Sequence, residues 1–110
     1  MRSYLIDEIV PSDMEKIDEY LRERAIPSNI KGIFWVEMPE DRLTQLQSDH
    51  KGCRPHVFAV ELGDNWVKME FLIRNLKHMR CNCGGYCTTY QREYIMEFAD
   101  NMIRSLNIRT

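Results

Sequence analysis

Residues 57–73 read Val57-Phe58-Ala59-Val60-Glu61-Leu62-Gly63-Asp64-Asn65-Trp66-Val67-Lys68-Met69-Glu70-Phe71-Leu72-Ile73. Two runs of strand-forming residues flank Gly63-Asp64-Asn65. A two-residue loop at Asp64-Asn65 sets Leu62 opposite Val67, Val60 opposite Met69 and Phe58 opposite Phe71, three apolar pairs on one face. The same register puts Glu61 opposite Lys68 on the other face, so packing and charge specify a single hairpin. A slip by one residue would lose both.

Working outward, residues 3–10 are rich in strand formers and are stopped by Pro11. Ser12 with Glu15 three residues on forms a capping-box pattern, and Met14, Ile17, Tyr20 and Leu21 then recur at helical spacing to about Arg24. Ile30 to Met38 reads as a second strand, apolar on both faces, with Phe34 and Val36 on one side and Ile33 and Trp35 on the other. Pro39 suits the first turn of a short helix running to about Asp49. Beyond Ile73 the alternation breaks, which predicts a bend near Asn75 to Lys77. Thr88 with Gln91 is a second capping pattern, opening a long helix from about Thr89 to Leu106 with Ile95, Phe98, Ala99 and Met102 on its apolar stripe. The order β-α-β-α-β-β-α predicts an α+β fold: a two-layer sandwich with a four-stranded mixed sheet and helices mainly on one face. Residues 1–110 form one domain of ordinary size.

The net charge of -2 argues against a strongly basic nucleic-acid binder, and no apolar run approaches the length of a membrane span. The first residues meet acid too early for a signal peptide, so a cytoplasmic location is expected. In a reducing compartment, four cysteines point to metal ligands, reactive thiols or buried packing rather than to disulfides.

Three of those cysteines fall in Cys81-Asn82-Cys83-Gly84-Gly85-Tyr86-Cys87, and the fourth, Cys53, lies between His50 and His56. Thiolates and imidazoles are the ligands of zinc and iron–sulfur sites, and Gly-Gly allows the backbone to turn Cys87 back toward Cys81 and Cys83. The expected metal ligands are Cys81, Cys83, Cys87 and Cys53, with His50, His56 or His78 as substitutes. Zinc is preferred to iron–sulfur because no cluster-binding run is present, and a protein without any cofactor is the next reading. C-x-C-x3-C is not the repeated C-x2-C of zinc ribbons, so the motif is of intermediate specificity.

Two other readings remain open. Residues 71–92 carry Arg74, Lys77, Arg80 and Arg92 and no acid. In this basic segment, at the start of the last helix, Cys87 is expected to have a lowered pKa and to act as a redox or nucleophilic thiol, with Cys81 or Cys83 resolving it. The same loop could instead bind an oxyanion through Gly84, Gly85, Arg80 and Arg92. The second is a non-catalytic interaction module with structural cysteines, a homodimer formed through a sheet face bearing Trp35 and Trp66. No Ser-His-Asp constellation or converging pair of carboxylates points to an enzyme, and neither a nucleic acid nor a membrane is an expected partner.

Overall fold

The central hairpin organises the structure, a computed structural model that describes residues 1–78 and 80–110. Its strands are β4 (His56–Leu62) and β5 (Val67–Glu70), preceded in the chain by β1 (Ser3–Ile6), α1 (Pro11–Arg24), β2 (Ile26–Pro27), β3 (Ile33–Glu37) and α2 (Gln45–Asp49). After the hairpin come β6 (Leu72–Asn75), β7 (Gly85–Tyr86) and α3 (Thr89–Ser105). Short 3-10 turns at Glu40–Arg42 and Lys51–Cys53 bracket α2.

The α+β class is as expected, but the sheet is not four-stranded and mixed. Among the described residues it has seven strands, and every pairing is antiparallel. Five run in the order β1-β5-β4-β3-β2, while β6 continues along β4 and carries β7. The expectation missed β2 and β7, whose two residues each are too few for a periodicity to be read. It also ran β5 and β6 together as one strand.

The hairpin register is the expected one near the turn: Val60 faces Met69, Glu61 faces Lys68 and Leu62 faces Val67. Lys68 Nζ lies 3.4 Å from Glu61 Oε1. Farther along, Val57 faces Arg74, so the three steps from Val60 to Val57 are matched by five from Met69 to Arg74. The two extra residues form a bulge at Phe71, earlier than the bend expected at Asn75 to Lys77. Phe71 therefore does not face Phe58. Its N–H donates to Arg2 O and its carbonyl accepts from Cys87 N–H. Phe58 instead packs edge-on against Tyr94 and Phe98 of α3.

Helices α1 and α3 bury Ile17, Leu21, Ile95, Ala99 and Met102 against Phe34, Val36, Phe58, Val60, Val67 and Met69 of the sheet. Each fully buried Leu, Ile, Val, Met or Phe side chain contributes about 1.5–3 kcal/mol. The start of α1 differs from the sequence pattern: Val10 is the N-cap without a side-chain cap bond, and Pro11 opens the helix. Proline at that position loses no hydrogen bond and brings a helical φ, which replaces the expected Ser12–Glu15 box. Trp35 lies across from Ala59 on the strand face opposite Phe34 and Val36. The Trp66 ring lies 5.6 Å from Lys68 Nζ. Among the described residues, no helix is long and apolar enough to cross a membrane.

Trp66 also explains Gly63. A Cβ on Gly63 would sit 2.0 Å from the Trp66 ring, so the indole lies against the bare backbone of the turn. Gly63→Ala should destabilise the protein by about 1–3 kcal/mol through this overpacking. Urea denaturation reads the effect, and an unchanged midpoint would refute the contact.

Candidate metal centre

Two segments distant in sequence meet beyond the start of β4. The first is the exit of α2. Thr44 caps that helix through a capping box with Gln47, and His50 closes it, its N–H donating to Leu46 O and Gln47 O. Ending the helix at His50 leaves its ring beside the 3-10 turn that buries Cys53. The second segment is the loop from Leu76 to Gly84. Asn75 Oδ1 accepts the His78 N–H at 2.7 Å, and His78 O accepts the Cys81 N–H at 2.9 Å, so a chain of local hydrogen bonds delivers Cys81 and Cys83 to the site.

His50, Cys53, Cys81 and Cys83 each offer one ligand atom, and these atoms all lie within 4.8 Å of one another. His50 Nδ1 is 3.1 Å from Cys81 Sγ. The four cysteines are unbridged. Tetrahedral zinc would place S and N ligands about 3.6 Å apart and two S ligands about 3.8 Å apart, from the usual bond lengths. The observed span accommodates one ion with small side-chain adjustment, so this His/Cys group could hold a metal.

The surroundings of the sulfurs are polar in a specific way. Cys83 is 3% exposed. Asn75 Nδ2 donates to its sulfur at 3.4 Å, and His56 Nε2 lies 3.4 Å from the same atom. His56 is buried, and its Nδ1 has no partner. Placing the ring proton on Nε2, where it points at sulfur, leaves only a lone pair unsatisfied rather than a buried N–H. Burial, reinforced by the Arg54 guanidinium and the neighbouring His50, lowers the His56 pKa and favours its neutral form. Two neutral donors therefore converge on one buried sulfur, an arrangement suited to a thiolate.

Hydrogen bonding and burial treat the three thiols differently. The Cys83 backbone N–H donates to the Cys81 sulfur and holds that thiol down at about 7, with Cys83, Cys53 and His50 side chains assisting. Burial pushes Cys83 up to about 12 and also raises Cys53. A divalent cation at the centre would lower all three, because it stabilises each thiolate directly.

The remaining nominated residues lie elsewhere. Cys87 follows β7, half-buried against the hydrophobic core, and is not part of the close group. Burial pushes its thiol up despite the opposing pull of Arg92 and Arg2, contrary to the lowering expected from the basic segment. His56 reaches only the Cys83 edge, and His78 is exposed, contributing its backbone. Gly84 packs tightly, since a Cβ there would be 2.9 Å from Ile73 O, while Gly85 pairs with Ile73 in β7. Arg80 and Arg92 are both exposed. The start of α3 already directs its Gln91 N–H to Thr88 Oγ1 through the expected capping box.

Sequence reasoning missed Gln47 and Asn75. Gln47 Nε2 donates to the Cys83 carbonyl at 3.1 Å, and Gln47 Oε1 accepts from Gln91 Nε2 at 2.8 Å. The available signal was the spacing Thr44-x-x-Gln47, the same capping pattern as Thr88-x-x-Gln91. Gln47→Leu removes three amide hydrogen bonds, the one accepted from the Thr44 N–H included, and leaves buried partners unsatisfied, so it should cost about 1–3 kcal/mol in urea denaturation. Gln45→Leu, exposed on the same helix, should cost less than about 0.5 kcal/mol. Equal effects would refute the buried network. No protein-family model matches this chain, and neither a curated protein nor a solved structure shows significant similarity to it.

Proposed function

We propose that the protein binds one zinc ion through His50, Cys53, Cys81 and Cys83, as a structural or regulatory centre. The observation that carries this reading is the convergence of four zinc-type donors on one point, with Asn75 and His56 directing N–H groups at the buried Cys83 sulfur. Four protein ligands leave no open coordination position, the pattern of structural rather than catalytic zinc. The compact donor set favours a single ion over an iron–sulfur cluster, whose ligands are spread over more than one iron.

The local packing supports a structural role. Among the described residues from Leu76 to Gly84, Cys83 alone is buried. Metal binding at Cys81 and Cys83 would add to the free energy that orders this loop. His50 and Cys81 are 31 residues apart, and a shared ion would close that span as a covalent link does.

Elemental analysis after purification without chelator should find about one zinc per chain, the occupancy of a single closed site. Cobalt substitution should give the thiolate-to-metal charge-transfer and ligand-field bands of a tetrahedral sulfur-rich site. Cys81→Ser and Cys83→Ser should lose metal, whereas Cys87→Ser should retain it. Metal retained in the first two variants, or lost in the third, would overturn this ligand set.

A further inference from the structure

The three sulfurs of the site differ in access. Cys53 and Cys83 are 6% and 3% exposed, whereas Cys81 is half-buried and lines an open groove of about 430 Å³. Trp35, Leu72 and Leu76 give the groove apolar walls, and Arg74 lines it as well. Neither of the other two site cysteines borders it. Gly85 does, and a Cβ added there would meet no atom within 4 Å. Its φ lies outside the left-handed region, so neither backbone conformation nor packing requires glycine at this position. The consequence of glycine here is open space beside Cys81.

Resting on the zinc reading, we infer that Cys81 is an oxidative modification site whose reactant is an organic hydroperoxide admitted by this groove, with Cys53 as the resolving thiol. The Cys81 thiolate attacks the terminal oxygen of the hydroperoxide. The O–O bond breaks, Cys81 becomes the sulfenic acid, and the organic fragment leaves as alkoxide, which takes up a proton to give the alcohol. The Cys53 thiolate then attacks the Cys81 sulfur, forming the disulfide and expelling hydroxide, which is protonated to water. Two thiolates are oxidised by two electrons and one peroxide is reduced. A zinc ion held at the site would keep only His50 and Cys83 as ligands and would be released. Cys53 suits the second step because its sulfur lies within 4.8 Å of Cys81 Sγ, while Cys83 sulfur is occupied by the donors from Asn75 and His56.

The experiment first counts zinc in the purified protein, then adds cumene hydroperoxide or hydrogen peroxide. Released zinc is followed with a chromogenic chelator, and peptides are mapped without reduction. The expected result is a Cys53–Cys81 linked peptide appearing in step with zinc release, faster with cumene hydroperoxide. Gly85→Leu fills the groove and Leu76→Glu makes it hostile to an apolar reactant. Each should keep its zinc and react several-fold more slowly with cumene hydroperoxide. First modification at Cys83 or Cys87, a Cys81–Cys83 bridge, equal rates for the two peroxides, or unchanged rates in both variants would overturn the inference. A protein purified without zinc would count against the zinc reading alone, because the order of thiol modification in that protein still tests the role of Cys81.

Discussion

The hydrogen bond from Gln91 Nε2 to Gln47 Oε1, 2.8 Å long and buried, joins the starts of α2 and α3. Each glutamine also closes its own helix cap, Gln47 with Thr44 and Gln91 with Thr88. Gln47 spends its amide N–H on the Cys83 carbonyl. One amide pair thus sets two helix N-termini and the cysteine loop at fixed distances from one another. Hydrogen bonds give what a hydrophobic contact would not, since leucine at either position could pack in several orientations and would leave buried N–H and C=O groups unpaired.

The metal-ligand group depends on that placement. Its four residues come in two pairs, one following α2 and one from the loop before β7, and the pairing of His56 with Asn75 between β4 and β6 brings only the adjoining backbone together. The amide network brings the loop backbone to α2, and the side chains of Asn75 and His56 then orient the Cys83 sulfur. A site whose sulfurs are aimed before an ion arrives loses less side-chain freedom on binding. The polar network and the ligands are therefore parts of one arrangement.

How far this could be read from the sequence varied with the range of the interaction. The hairpin turn was legible because register, charge pairing and turn chemistry all lie within a dozen residues. The α3 cap was legible for the same reason. The bulge at Phe71 was not, because its cause is non-local: the Phe71 backbone is satisfied by Arg2 and Cys87 rather than by β4. Two-residue strands such as Ile26–Pro27 carry no period at all and exist only because β3 offers an edge. The end of the second helix near Asp49 was legible, and that ending is what carries the His50 ring to Cys81. Pro11 outcompeted Ser12 because a fixed φ at the first helical position removes the need for a side-chain cap.

The Gly-Gly pair shows how a motif can be read correctly as a constraint and assigned to the wrong partner. Glycine was needed, but not to bend Cys87 back toward Cys81. Gly84 needs to lack a side chain because Ile73 O approaches where its Cβ would be, and this close approach lets Gly85–Tyr86 pair as β7 along β6. Strand pairing then carries the chain away from the cysteine loop, and the Cys87 N–H is taken by Phe71 O at the bulge. The bulge and Gly84 therefore act together: one turns a carbonyl outward, and the other lets the returning chain come close enough to use it. Cys87 reaches the core as a result, and the fourth position beside Cys53, Cys81 and Cys83 falls to His50, the residue that ends the helix capped by Thr44 and Gln47.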